Sequence, residues 1–400
     1  MPQFSTEILL FIFSGLIVLS YLYQIISTYI RIPSVLLLLA TGITLRLIAE
    51  NQQWGIDFPQ SLVEFLGVIG LIMIVLEAGL DLKLGKEKMP LIRKAFFASG
   101  VILIISITGI TTLLHFMLDR PVIKCLVYAI PLSILGSSIV IPSLQHLSAD
   151  KKEFLVYEAS FSDITGLLVF NYFTGEHLFS AQAAGNFFLN IILAALFSIF
   201  FSILLFLILT KARLKIKFFL VLALLIILYE GGKLIGIPSL LIILVFGILM
   251  NNWKMIKISA LQRLFSYKEA EEATQLLHSL TAETSFLVKT FFFIFFGFSI
   301  DIRLLADPDV ILIGSIIVCI LFIVRFFYLK FFLRTNVYPE TFFIPRGLIT
   351  VVLFYKIPEA LQLHAFNGGI LFFVIIVTTL IMMTGMIFYK KTEPELNLSQ

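Results

Sequence analysis

The sequence predicts an all-α integral membrane protein of about 13 transmembrane helices, built as two inverted-topology repeats whose fifth and twelfth spans are broken crossing helices. Three observations carry that prediction: the composition, the length of the apolar runs, and the alternation of basic residues between successive loops.

Of 400 residues, 60% are hydrophobic and 14% charged, and the mean hydropathy is +1.05. A soluble domain carries about twice that share of charge. Apolar runs of about 18 to 25 residues recur as far as Tyr389, each long enough to cross about 30 Å of hydrocarbon as a helix. They are continuous and do not alternate over ten residues, which favours helices over a membrane barrel. The spans centre at roughly 17, 40, 72, 104, 134, 163, 197, 221, 243, 292, 320, 348 and 378. No basic segment or small-residue cleavage site precedes the first run, near Glu7, so it is expected to remain as the first span. Cys125 and Cys319 lie in or beside apolar runs and imply no disulfide framework.

The basic residues test this division. Of 29 Lys and Arg, 20 fall in alternate loops and the C-terminal tail, and 6 in the loops between them: Arg46, Arg120, Lys124, Lys233, Arg303 and Lys356. Lys289, Arg325 and Arg346 lie inside spans. That bias sets the N-terminus outside and the C-terminus in the cytoplasm of a multi-pass protein of the cell (inner) membrane. The long polar stretch from Asn251 to about Ala282 contains "KEAEEATQLLHSL", read as a short amphipathic helix on the membrane surface. No soluble regulatory domain and no phosphate-binding glycine loop is evident, so nucleic acid and nucleotides are not expected partners.

Two segment pairs repeat. "IPSVLLLLATGI", Ile32 to Ile43, and "IPSLLIILVFGI", Ile237 to Ile248, share 7 of 12 positions, and "AGLDLKL" from Ala78 parallels "FSIDIRL" from Phe298. Both matches shift the chain by seven spans, an odd number, so the copies run in opposite directions through the bilayer. One domain over 1–400 is expected, with repeat one at about 1–176, a linker helix at about 183–210 and repeat two at about 214–390. The same shift pairs the fifth span, "PLSILGSSIVIPSL", with the twelfth, "FFIPRGLITVVLF", both interrupted by Gly and Pro. Paired interrupted helices point to a binding site near the midplane of a transporter.

A charge at mid-bilayer costs at least about 2.5 to 3.5 kcal/mol, so each needs a partner, water or a function. Asp163 sits at the centre of the sixth span, with Ser137 and Ser138 of the fifth-span break as expected neighbours. Dehydration favours a protonated carboxyl and a bound cation favours the ionised one, so one carboxylate can hold a proton and a monovalent cation in turn. Glu158, five residues towards the cytoplasm, matches the depth of Arg325 in the eleventh span, and the two are expected to form a structural ion pair. Arg346, at the twelfth-span break, is expected to compensate the half-helix dipoles and Asp163. Lys289 is a second candidate for charge compensation, facing an ion funnel or pairing with Glu77. His146 and His278 could bias a pH response, while His115, His177 and His364 read as incidental.

With these residues in view, the chain resembles the monovalent cation:proton antiporter family, with a sodium/hydrogen exchanger-like membrane domain, over essentially its whole length. The resemblance rests on "RIPSVLLLLATGI", on "LEAGLDLKL" with Gly79 and Asp81, on "EASFSDITGL", on "FFFIFFGFSIDI", on Arg325 and on "PRGLITVVL". It implies that Asp163 binds the transported ion and that Glu158 is the salt-bridging glutamate. It also implies a homodimer and an elevator-like motion of a core containing spans 4 to 6 and 11 to 13. Two positions depart from the family pattern: Ser162 stands where an Asn or Asp precedes the binding Asp, and "GSSIV" has Ile139 where some members carry Asp. One mobile carboxylate remains, so electroneutral exchange of one proton for one Na+, K+ or Li+ is expected, with Asp163, Ser162, Ser137 and Ser138 at the site and no resident cofactor. A gated monovalent cation channel, or a membrane-embedded enzyme acting on a lipid-linked substrate, are the alternatives; the second lacks clustered acids or histidines.

Overall fold

The computed structural model describes residues 6–30, 32–52, 60–85, 87–175, 218–234, 239–253, 267–333 and 337–389, together with parts of 185–205. Among these residues there is no strand. The linker helix is described only in part, and Ile237 and Pro238 of the second repeat motif lie outside the described residues.

The helices are α1 (Thr6–Ile30), α2 (Ser34–Asn51), α3 (Gln60–Asp81), α4 (Met89–Leu118), α5 (Val122–Ser133), α6 (Ser137–Val140) and α7 (Ala149–Phe173). After them come α8 (Phe218–Leu234), α9 (Ser239–Asn251), α10 (Tyr267–Ser299), α11 (Ile302–Leu305), α12 (Pro308–Tyr328), α13 (Leu348–Tyr355) and α14 (Gly369–Phe388). Seven stretches among the described residues are long and apolar enough to cross a membrane, and shorter apolar helices lie at Ile192–Leu205, Phe219–Gly232 and Ser239–Asn251. The protein is a multi-pass membrane protein. Side chains such as Phe11, Phe97, Phe116 and Phe332 project outward, as lipid-facing positions do.

"KEAEEATQLLHSL" does not form a separate surface helix. It is the first part of α10, which runs 33 residues without interruption, about 50 Å at 1.5 Å per residue. No Gly or Pro occurs between Tyr267 and Phe296, so nothing breaks the helix between its polar and apolar halves.

The chain divides into two compact units, one formed by Met1–Gly67, Pro90–Thr174 and Lys289–Gln400, the other by Val68–Met89 and Gly175–Val288. In the first, α2 meets the end of α10 at Gly42 and Gly297, where a side chain on either glycine would strike the other helix's backbone. Arg46 closes this crossing by donating to the Phe298 carbonyl at 3.2 Å and to Glu50 at 2.7 Å. In the second unit, α3 meets α9 at Gly79 and Gly247. A methyl on Gly79 would lie 2.7 Å from the Leu244 carbonyl oxygen, and one on Gly247 2.9 Å from that of Leu76.

Candidate functional site

The fifth span is broken as its sequence suggests. Pro131 falls in the last turn of α5, Ile134 and Gly136 are extended, and the helix resumes at Ser137. The chain before α13 is extended in the same way around Pro345 and Gly347. The two extended stretches cross at backbone contact, with Gly136 N–H donating to the Pro345 carbonyl at 2.9 Å. A methyl on Gly136 would come within 2.5 Å of the Gly347 nitrogen, so only glycine fits there.

Broken helices leave backbone groups that lipid cannot satisfy, and side chains take them up here. Leu135 N–H donates to Ser162 Oγ at 2.9 Å, Leu348 N–H to Ser138 Oγ at 3.3 Å, and Arg346 N–H to Thr378 Oγ1 at 3.3 Å. Arg346 Nε donates to the Leu132 carbonyl at 2.6 Å. That places a guanidinium, 3% exposed, on the negative end of α5. Of the four residues expected around the ion, Ser137 bonds directly to the Asp163 carboxylate, whereas Ser138 and Ser162 serve the backbone of the crossing.

Asp163 projects from α7, which packs against α5, α6 and α13, and it is 5% exposed. Its Oδ2 accepts from Ser137, and its Oδ1 is buried with no hydrogen bond to any described residue. Ser160 Oγ on α7 and Thr350 Oγ1 on α13 are among the other buried oxygens that lack a partner among the described residues. A buried carboxylate with a serine hydroxyl on one oxygen suits a hard monovalent cation or a proton on the other.

One and a half turns towards the start of α7, Arg325 holds Glu158 through both carboxylate oxygens, at 2.7 and 2.8 Å. Its Nε donates to the Glu340 carbonyl at 2.7 Å. The Glu340 side chain pairs with Lys151 at 3.2 Å, and Lys151 donates to the Tyr338 carbonyl at 2.6 Å and sits over the Tyr389 ring. Lys151 and Glu340 carry no mark in the sequence that separates them from ordinary loop charges. A small cavity of about 10 Å³, lined in part by Glu158, Ser162, Arg325 and Arg346, lies between the ion pair and the crossing.

A family model described as "Sodium/hydrogen exchanger, transmembrane" matches residues 12–389. The chain belongs to the sodium/hydrogen exchanger family. Comparison with curated proteins returns no match. Among solved structures it is similar to the sodium proton antiporter MjNhaP1 from Methanocaldococcus jannaschii at pH 8, with a TM-score of 0.69 at 16% identity, covering 96% of this chain and 98% of that one. A structure of MjNhaP1 from an electron-microscopy map gives 0.70 at 17% identity, covering 97% and 100%. These likenesses establish the fold.

Three further residues singled out in the sequence, Lys289, Glu77 and His278, make their own contacts. Lys289 is half-buried on α10. Glu77, on α3, accepts from Ser285 at 2.6 Å. His278 meets Asp81 at 2.9 Å, and with Asn252 bonded to the Leu82 carbonyl at 2.7 Å this ties the end of α3 to α9 and α10.

Proposed function

We propose that the protein is a secondary antiporter that exchanges protons for a monovalent cation, Na+ or K+, by alternating access, with the Asp163 carboxylate holding the two in turn. The observation that carries this reading is the buried carboxylate at the helix crossing, one oxygen held by Ser137 and the other free to accept a proton or a cation. Membership of the sodium/hydrogen exchanger family supports the same exchange.

The charges nearby support electroneutral exchange. Glu158 and Arg325 neutralise each other, as do Lys151 and Glu340, which leaves Asp163 as the carboxylate that changes occupant. Binding one proton or one monovalent cation gives two loaded forms of equal charge, so the two opposite crossings cancel and the complete exchange moves no net charge.

The two-repeat organisation belongs to the same proposal. The matched motifs put Gly42 and Gly247 in register, and each sits at a glycine crossing, with α10 and with α3 respectively. An inverted pair of repeats, a homodimer, and termini disposed with the N-terminus outside complete the reading.

Proteoliposomes carrying an interior pH dye test it. External Na+ or K+ should drive proton movement in the wild type, and Asp163→Asn should abolish it. Persisting exchange in that variant would reject the site, and cation flux indifferent to a proton gradient would indicate a channel instead.

A further inference from the structure

The first turns of α4 carry two cations that no described residue neutralises. Arg93 and Lys94 are exposed, and neither makes an ion pair or hydrogen bond with a described residue. By contrast, Arg325 is engaged by Glu158, Lys151 by Glu340 and Arg46 by Glu50. The acidic residue nearest in sequence, Glu87, precedes the helix.

Directly beyond these cations along the helix the outer surface becomes aromatic. Phe96 and Phe97 are 51% and 62% exposed and meet edge to face, and Phe96 also meets Phe161 of α7 at 5.4 Å. The outward stripe then continues through Ile104 and Ile105 to Phe116. At 30 residues, α4 is about 45 Å long against a hydrocarbon core of about 30 Å. It is therefore long enough for its first turns to stand in the headgroup layer with Phe96 and Phe97 at the start of the acyl region.

We propose that Arg93, Lys94, Phe96 and Phe97 form a binding site for the headgroup of an anionic phospholipid. The guanidinium fork suits a phosphate diester, Lys94 adds a point charge, and the positive end of α4 favours the same anion. The two phenyl rings cover the glycerol and first methylenes, which a free phosphate lacks. The occupant is thus a lipid, and it would hold α4 on the membrane side where basic loops are richest.

Native mass spectrometry of the full chain in detergent, titrated with phosphatidylglycerol or phosphatidylcholine, tests this. Phosphatidylglycerol should bind in preference, Arg93→Gln and Lys94→Gln should each weaken it about fivefold, and Arg120→Gln at the far end of α4 should leave it unchanged. Phe96→Ala with Phe97→Ala should weaken both lipids. On the unaltered chain, salt should weaken phosphatidylglycerol binding and spare phosphatidylcholine. Equal affinity for the two lipids, full phosphatidylglycerol affinity in the double charge variant, or displacement by inorganic phosphate would each overturn the proposal.

Discussion

Arg325 grips Glu158 with two parallel hydrogen bonds while its third donor reaches the Glu340 carbonyl, so one buried guanidinium joins α12, α7 and the segment leading to α13. Bidentate geometry of this kind is the strong form of an ion pair. The pair is only 2% and 1% exposed, which makes either partner alone a liability.

Glu158→Gln or Arg325→Met should each cost about 3 to 5 kcal/mol, because the remaining charge is left buried without a counterion. Reversing both together should recover part of that loss. Recovery stays incomplete because a glutamate at 325 cannot donate to the Glu340 carbonyl. Thermal unfolding in detergent of Glu158→Arg, Arg325→Glu and the two combined gives the coupling energy, and simple additivity of the losses would count against the pair.

Ser162→Ala should leave the Leu135 N–H buried without an acceptor, at a cost of about 1 to 3 kcal/mol. Asp163 keeps its bond to Ser137 in that variant, so exchange should persist with reduced thermal stability. Ser162→Asn, which can still accept the N–H, should restore much of the lost stability. A variant that loses all exchange while unfolding like the wild type would make Ser162 a direct ligand and not a support of the crossing.

Asp163, Glu158 and Arg325 stand out in the sequence because charges are scarce in apolar runs and their depth follows from helical rise. The breaks stand out because Pro and Gly interrupt otherwise helical patterns. Lys151 and Glu340 do not stand out, since charges are common at span ends and only the fold reveals that Glu340 is 7% exposed. The roles of Ser138 and Ser162 were hidden for another reason. A serine near a carboxylate reads as a ligand, and only the path of the backbone shows which N–H it must satisfy. The continuity of α10 was obscured by polarity: a run of Glu, Lys and His resembles a loop or surface helix until the lack of any helix breaker is given its weight.

The crossing predicts an asymmetry between its two glycines. A methyl on Gly347 would meet Ser138 Oγ at 2.6 Å, a side-chain atom, whereas a methyl on Gly136 meets the Gly347 backbone nitrogen at 2.5 Å and Cα at 2.8 Å. Gly347→Ala should therefore reduce exchange and be partly rescued by Ser138→Ala, which removes the obstructing hydroxyl. Gly136→Ala should resist rescue by any side-chain change, since backbone must move. Exchange rates per folded molecule for the three variants would decide this, and an unrescued Gly347→Ala would show that its methyl displaces backbone as well.

Stoichiometry follows from which carboxylates are free to change occupant. Glu158 and Glu340 are held by Arg325 and Lys151, leaving Asp163 with an uncommitted oxygen among the described residues of the crossing. If a proton and a cation compete for that one group, exchange should build no membrane voltage, and clamping the voltage with a potassium ionophore should not change the rate of Na+-driven exchange. On the cation side, acidification should raise the apparent KM for the cation in proportion to proton concentration and leave the maximal rate unchanged. A voltage generated by exchange would mean that a second titratable group crosses with the ion, and Lys289 and Glu77 would be the first to substitute.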